Sequence, residues 1–241
     1  MPTKAPKQYS IPYWTKQALR YQSNPEPIIT AAVLSHHRQD RPTGIAFEGS
    51  AHTLLNQIYI EHRKQMKGVH LALFPTPMPV ARQMAELMDI QGNSYVLDPS
   101  AGLGNLLVAA SEFTNHTIGI EFQYWLPDLL SHIGIPCIRG DFLDLPIEKI
   151  PTPDIILTNP PFGRIGEVSD ATTAHMARIA DIAPPGTPVG AILPTGHFER
   201  GPKARAATAD RFTWHEAKDL PPGTFAPLTN VSTTLHRLTV R

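Results

Sequence analysis

Short, largely apolar runs recur along the chain, and most of them end in a polar residue, a glycine or a proline. Such runs are too short for helices and predict buried strands. They are the segments 95–98, 118–121, 136–139, 155–157 and 189–194. The last part of the chain adds a strand, a turn rich in proline at 220–225 and a β-rich strand over 229–240, which predict a closing hairpin.

Between these runs, apolar residues at helical spacing predict helices, with caps and prolines at their ends. The predicted helices cover residues 27–37, 50–68, 77–88 and 124–133, and a last one runs from the N-cap pair at 169–170 to about 183. Ser50 is a good N-cap, and we expect Thr76 or a near neighbour to cap the third helix.

Composition narrows the class of protein. The 241 residues suffice for one domain with a substantial core, alone or with a small appendage. No apolar run is long enough to span a membrane, and the start lacks a signal-peptide apolar region, so we expect a cytoplasmic protein without membrane association. A single cysteine, Cys137, and scattered histidines lack zinc-site spacing, so no metal site is predicted.

Charge gives no basic surplus, because Lys plus Arg and Asp plus Glu both number 21. Nucleic-acid-binding chains usually carry such a surplus. The candidate phosphate contacts are therefore local, namely Arg164, Arg200, Lys203 and Arg205. A solvated helix explains the last three equally well.

The strand predicted at 155–157 leads directly into Asn159-Pro160-Pro161-Phe162. Two prolines cannot continue a sheet, so Asn159 lies at the carboxyl end of the strand, where open α/β sheets bind ligands. Its carboxamide and the Pro160 carbonyl can both accept hydrogen bonds, and Phe162 offers a flat face. This pattern favours a nucleobase held by its exocyclic amine, although an ordinary strand-to-turn junction has the same residues.

A glycine turn follows the strand predicted at 95–98, in the sequence Asp-Pro-Ser-Ala-Gly-Leu-Gly. Gly102 and Gly104 allow close approach of the backbone to a ligand at a helix start. A dinucleotide-binding loop would have a small residue where Leu107 stands, and Asp98 would repel a pyrophosphate. Asp98 instead favours a cation such as an amino acid ammonium group.

Acidic residues end the next two strands. Glu121, roughly 20 residues after the glycine turn, is placed to accept hydrogen bonds from two ribose hydroxyls. Asp141-Phe142 follows the strand predicted at 136–139. Taken singly, each acid could also be a turn-capping residue or a solvated strand end.

These motifs, in this order over about residues 70–241, resemble those of S-adenosylmethionine-dependent amino-group methyltransferases of the γ-type, adenine-N6 DNA-methylating family. Asn-Pro-Pro-Phe resembles motif IV, Asp-Pro-x-x-Gly-x-Gly motif I, and Phe-x-Thr-Pro at 74–77 motif X. Leu-Pro-x-Gly-x-Phe followed by Val-x-Thr-x-Leu is similar to type I restriction–modification methylase subunits. The resemblance implies a Rossmann-like class I methyltransferase: an α/β fold with a seven-stranded, mostly parallel sheet and helices on both faces.

The resemblance also implies site residues and S-adenosyl-L-methionine as cofactor. The implied catalytic residues are Asn159, Pro160, Pro161 and Phe162. The implied cofactor-binding residues are Phe74, Thr76, Pro77, Asp98, Pro99, Ser100, Ala101, Gly102, Gly104, Glu121, Phe122, Asp141, Phe142 and Asn159. Among them, Asp141 is expected near the adenine amine of the cofactor and Phe142 beside its ring.

The function implied is methyl transfer to N6 of adenine, with DNA preferred over RNA as the nucleic acid. We expect residues 1–68 to form a mostly helical appendage and residues 69–241 the catalytic domain. We identify no target-recognition domain, so a partner specificity subunit is expected to read the sequence. Structured RNA, a protein glutamine, or a non-catalytic cofactor-binding role remain as alternatives, and the oligomeric state is left open.

Overall fold

A computed structural model of the chain describes residues 50–62, 73–199 and 201–241. The chain divides into two compact units, Met1–Leu71 and Ala72–Arg241. In the first unit the described residues form helix α1 (Ser50–His62), which begins at the predicted residue. The predicted helix at 27–37 and the end of the one at 50–68 lie outside the described residues, and the division into appendage and catalytic domain stays a prediction.

The second unit is built on a seven-stranded sheet in the order β3-β2-β1-β4-β5-β7-β6. The strands are β1 (Val96–Asp98), β2 (Thr117–Glu121), β3 (Cys137–Arg139), β4 (Ile155–Thr158), β5 (Pro188–Pro194), β6 (Phe212–Asp219) and β7 (Thr233–Val240). Neighbours among β1 to β5 are parallel, whereas β7 is antiparallel to both β5 and β6. The predicted mostly parallel sheet and its closing hairpin are confirmed.

Helices follow the strands much as the sequence predicts. They are α2 (Met78–Leu87), α3 (Asn105–Ala110), α4 (Leu126–His132), α5 (Ala171–Ile182) and α6 (Lys203–Ala209), with a short 3-10 turn at Ile147–Lys149. Asp170 caps α5 by accepting a hydrogen bond from the Thr173 backbone N–H, as predicted. The N-cap of α2 is Pro77, the neighbour of Thr76; it makes no side-chain cap hydrogen bond, and Thr76 Oγ1 accepts from Asn159 Nδ2 instead.

Two apolar clusters cover the two faces of the sheet. Strand β4 shows why: Ile155 and Leu157 belong to the cluster that contains residues of α2 and α3, whereas Ile156 belongs to the one that contains residues of α5. Successive strand residues point to opposite faces, so a fully apolar strand requires cover on both. The helices therefore lie on both faces of the sheet, as expected. Among the described residues, no helix has the length and apolarity needed to cross a membrane.

One close contact fixes the glycine turn against the sheet. A Cβ atom added to Gly119 in β2 would lie 2.6 Å from the Ala101 Cβ and 2.9 Å from Leu107 Cδ1. The small residue needed for close packing of this turn is therefore in the neighbouring strand. Leu107, which argued against a dinucleotide-binding loop, packs directly over it.

Candidate active site

The carboxyl ends of three adjacent parallel strands meet at one edge of the sheet. Strand β1 lies between β2 and β4, with Leu97 paired to Ile118 on one side and to Ile156 on the other. The residues at these ends, Asp98 and Glu121, and the segment that follows Thr158 in β4, are therefore brought together. This edge is where parallel α/β sheets place their ligands.

Asn159 is held in one orientation by the segment before α2. Its Nδ2 donates to the Phe74 carbonyl and to Thr76 Oγ1, both at 3.1 Å. A carbonyl oxygen can only accept, so the amide nitrogen must face Phe74, and Oδ1 is turned the other way. The Thr76 carbonyl is in turn bound by Asn105 Nδ2 at 2.7 Å, which ties this segment to α3.

Some oxygen acceptors around Asn159 are bound by a donor of the protein, and others are not. The Asn159 carbonyl accepts from Ser100 Oγ at 3.3 Å, and the Pro161 carbonyl accepts from Thr172 Oγ1 at 2.9 Å. Ser100 Oγ also lies 3.2 Å from Thr158 Oγ1. In contrast, within the described part of the chain no donor binds Asn159 Oδ1 or the Pro160 carbonyl. Two acceptors at this strand end are thus available to a ligand.

Phe162 lies beside these acceptors and is half-buried. It packs against the apolar cluster on the α2 face, as does Phe74. Pro160 is buried, and Pro161 is partly so. Phe162 is therefore anchored along one side while part of its surface stays accessible.

The glycine turn is closely packed against neighbouring side chains at both of its glycines. Gly102 and Gly104 adopt φ angles of 54° and 82°, which favour glycine. A Cβ atom at Gly102 would lie 2.9 Å from Leu73 Cδ1, and one at Gly104 3.1 Å from Ile135 Cδ1. Pro99 and Ala101, which precede these glycines, are buried, and the Ala101 N–H binds the Ile120 carbonyl at 2.9 Å. The backbone of the turn therefore lies close to the carboxyl ends of β1 and β2.

Asp98 and Glu121 are almost fully buried at this edge. Burial raises the pKa of Asp98 to about 7, helped by the neighbouring Glu121 carboxylate and opposed by hydrogen bonds from Ser100, whose N–H lies 3.0 Å from Oδ1. Burial likewise raises the pKa of Glu121 to about 7, against backbone N–H groups of Gln123 and Gly102 at 2.7 and 2.8 Å. Near neutral pH these carboxylates are thus easily shifted to the charged form by a cationic or hydrogen-bond-donating ligand.

The pair Asp141-Phe142 departs from the sequence-based expectation. Asp141 is half-buried and accepts from the Leu143 N–H at 2.9 Å. Phe142, expected beside a ligand ring, is only 2% exposed and belongs to the core on the α5 face, with its ring centroid 5.7 Å from that of His175. The placement of Phe142 beside a cofactor stays a prediction, and its ring is buried in the core in this structure. Just after β2, the aromatic residues Phe122 and Tyr124 are 67% and 56% exposed.

The basic residues predicted to contact phosphate differ in their surroundings. Arg164 and Lys203 are exposed, as a phosphate contact requires. Arg205 differs from its expected role, because its Nε lies 2.6 Å from Asp170 Oδ2 in an ion pair at the start of α5. Arg200 lies outside the described residues.

The sequence analysis missed three residues that support this site. The sequence motifs did not single out Asn105, Thr172 or His197. Their partners are 29, 11 and 27 positions away in the sequence, respectively, so no local pattern marks them. The tertiary fold alone reveals these contacts.

Comparison with known proteins agrees with this architecture. No protein-family model matches the chain. The type I restriction enzyme StySPI methylase subunit of Salmonella potsdam is 26% identical over an alignment of 197 positions, which covers 62% of this chain and 37% of that protein. The structure of a modification subunit of a putative type I restriction enzyme from Vibrio vulnificus is 23% identical, with a TM-score of 0.64, over 83% of this chain and 51% of that one.

A putative class I S-adenosylmethionine-dependent methyltransferase from Listeria monocytogenes is similar over 95% of this chain and 88% of its own, with a TM-score of 0.66 and 15% identity. The chain thus has the fold of class I S-adenosylmethionine-dependent methyltransferases. It resembles the methylase subunits of type I restriction enzymes, as the motifs predict, and it spans about half or less of the length of those two relatives.

Proposed function

We propose that this chain transfers a methyl group from S-adenosylmethionine to the N6 amine of adenine in DNA, together with a partner subunit that recognises the sequence. One observation carries the proposal. Asn159 Oδ1 and the Pro160 carbonyl have no donor within the described part of the chain, whereas the groups around them do. Two fixed acceptors at one place match the two N–H bonds of an aromatic amine.

The residues at the glycine turn fit the cofactor. The positive φ angles of Gly102 and Gly104 favour glycine, which allows close approach of the backbone to a ligand. Asp98 offers a carboxylate to the ammonium group, and Glu121 offers one to the ribose hydroxyls. We assign the contact with the adenine ring of the cofactor to Phe122, because its side chain is exposed. When bound, the cofactor supplies an electrophilic methyl group on a sulfonium and leaves as the neutral thioether.

The chemical role of Asn159 and Pro160 follows from the target. The lone pair of an aromatic NH2 is delocalised into the ring, which makes the nitrogen a poor nucleophile. Hydrogen bonds from both N–H groups to these two acceptors favour a pyramidal nitrogen with a localised lone pair. A new N–C bond then forms as the S–C bond breaks, and the nitrogen afterwards loses one proton to solvent. Orientation and preset acceptors supply the acceleration.

Phe162 completes the proposed base site. A base inside a duplex is out of reach of these acceptors, so the adenine must be turned out of the helix. The accessible part of Phe162 offers a stacking surface beside Asn159, and the rest of its ring is fixed by the apolar cluster. Stacking on an aromatic ring is worth about 1–3 kcal/mol per base.

DNA as substrate and a sequence-reading partner are supported by the relatives, which are named as subunits of type I restriction enzymes. The equal numbers of acidic and basic residues also favour a partner that contributes phosphate contacts. Arg164 and Lys203 remain the proposed contacts of this chain with the backbone.

The test is labelled methyl transfer to duplex DNA, single-stranded DNA and total RNA, followed by nucleoside analysis. We expect N6-methyladenine in DNA. We further expect Asn159→Ala to abolish transfer with nearly unchanged cofactor affinity, because its Oδ1 faces the substrate. The control Asn115→Ala, at an exposed loop position, should retain full activity. Full transfer by Asn159→Ala would refute the mechanism, and label in RNA alone would refute the substrate.

A further inference from the structure

The segment Asn159–Phe162 is held not only by Phe74 and Thr76 but also by the start of α5, eight or more residues further on. Thr172, which is 0% exposed, donates from Oγ1 to the Pro161 carbonyl at 2.9 Å. One residue earlier, the Ala171 N–H binds the Gly163 carbonyl at 2.8 Å. The first turn of α5 therefore donates hydrogen bonds to two carbonyl groups at the end of the segment, those of Pro161 and Gly163.

The start of α5 is itself fixed by residues after β5. Asp170 Oδ2 accepts from Thr173 Oγ1 at 2.8 Å and from Arg205 Nε at 2.6 Å, and its Oδ1 accepts from the Thr173 N–H at 3.2 Å. His197 Nε2 lies 3.3 Å from Asp170 Oδ1 and 3.1 Å from Thr173 Oγ1. Since the single hydroxyl hydrogen of Thr173 goes to Asp170, the hydrogen in the contact with His197 must come from Nε2.

This arrangement determines which proline carbonyl is free. Two consecutive prolines offer two carbonyl groups and no N–H, so a flexible segment could present either of them to a ligand. Thr172 engages the second, that of Pro161, while that of Pro160 has no donor within the described part of the chain. The choice between the two carbonyls is thus made by a buried hydroxyl on α5.

We propose that Thr172 is a positioning residue of the transferase site, and that Asp170, held by Arg205 and His197, keeps Thr172 in place. Thr172 binds the Pro161 carbonyl and so leaves the Pro160 carbonyl and Asn159 Oδ1 facing the amine. The inference about the reaction rests on the proposed function, whereas the inference about the position of the segment does not.

The test compares Thr172→Val, which keeps the shape and removes the hydroxyl, with Thr172→Ser, which keeps the hydroxyl. Thr187→Val is the matched control, because Thr187 is buried just before β5 and its side chain makes no hydrogen bond to a described residue. We expect the single-turnover transfer rate of Thr172→Val, at saturating cofactor and DNA, to be at least tenfold lower than that of the wild type. Small displacements of reacting groups lower the rate strongly. Cofactor affinity should change less than twofold, and the other two variants should match the wild type.

A second readout needs no substrate. The Asn159 side-chain NH2 donates to Phe74 and Thr76, so its two hydrogens should give a distinct, slowly exchanging pair in 15N–1H spectra. We expect this exchange to be several times faster in Thr172→Val and unchanged in Thr172→Ser and Thr187→Val. Asp170→Asn, which can still cap α5, should give a smaller effect of the same sign and serves if Thr172→Val does not fold.

The outcomes separate the two hypotheses. A wild-type chain that methylates RNA alone, with the NH2 exchange shifted as expected, refutes the proposed function and supports the positioning role. Wild-type transfer rate and NH2 exchange in Thr172→Val would overturn the positioning role. It would also be overturned by a cofactor affinity that falls in proportion to the rate, since this would indicate general damage.

Discussion

Replacement of Gly119 by alanine tests the packing of the glycine turn against the sheet. The added Cβ would lie 2.6 Å from the Ala101 Cβ, 2.9 Å from Leu107 Cδ1 and 3.5 Å from Cys137 Sγ. Leu107 can yield by rotating its side chain. Ala101 cannot, because its Cβ is attached to the turn itself and its N–H is bound to the Ile120 carbonyl. The turn would therefore have to move away from β2.

The expected size of the effect follows from this overlap. Overpacking of a well-packed core typically costs about 1–3 kcal/mol. In a unit of this size each kcal/mol corresponds to roughly 2–4 °C in melting temperature, so Gly119→Ala should melt about 2–12 °C lower than the wild type. Cofactor affinity should fall as well, since the displaced Ala101 belongs to the turn that is proposed to bind it.

Thermal unfolding followed by circular dichroism is the assay, with Gly92→Ala as the matched control. A Cβ at Gly92 would meet only the Phe113 carbonyl oxygen, at 3.9 Å, so this change should leave stability within about 0.5 kcal/mol of the wild type. If Gly119→Ala unfolds at the same temperature as Gly92→Ala, the close contact between the turn and β2 does not have the role assigned to it here.

Two further predictions concern the ligands. Burial raises the pKa of both Asp98 and Glu121 to about 7, so these acids hold a proton below neutrality that a ligand needing the carboxylate must displace. Cofactor affinity, measured by calorimetry, should therefore fall as pH is lowered from 7 to 5.5, by up to about tenfold per pH unit for each acid. The variant Asp98→Asn should show a weaker dependence of affinity on pH. An affinity that stays unchanged across this range in the wild type would contradict the prediction. Phe162→Ala should weaken the fluorescence increase of 2-aminopurine at the target base with little change in cofactor affinity. Phe122→Ala should lower cofactor affinity with little change in that fluorescence increase. Identical effects in the two variants would contradict these separate assignments.

The sequence predicted the elements whose signals are local. Strand β4 and its end at Asn159 follow from three apolar residues and two prolines, and the N-cap at Asp170 from the residues beside it. The fold class followed from the motifs and their resemblance to a known family. These features depend on neighbours within a few positions, and no distant contact overrides them.

Other contacts join residues far apart in the sequence. Pro77 rather than Thr76 is the N-cap of α2, and the Thr76 hydroxyl accepts from Asn159, 83 positions later. Phe142 is drawn into the core on the α5 face, where it meets His175. Arg205 looked like a phosphate contact until Asp170 was found beside it, 35 positions away. Sequence spacing does not reveal which side chains meet across the sheet, so these roles required the structure.

The most direct test of the account is methyl transfer to DNA by the wild type and Asn159→Ala, with product nucleosides identified and cofactor affinity measured in parallel. The account predicts N6-methyladenine with the wild type and none with Asn159→Ala, at nearly equal cofactor affinity, because the amide oxygen of Asn159 is turned toward the substrate. Equal yields from the two proteins, or a methylated product other than N6-methyladenine, would contradict it.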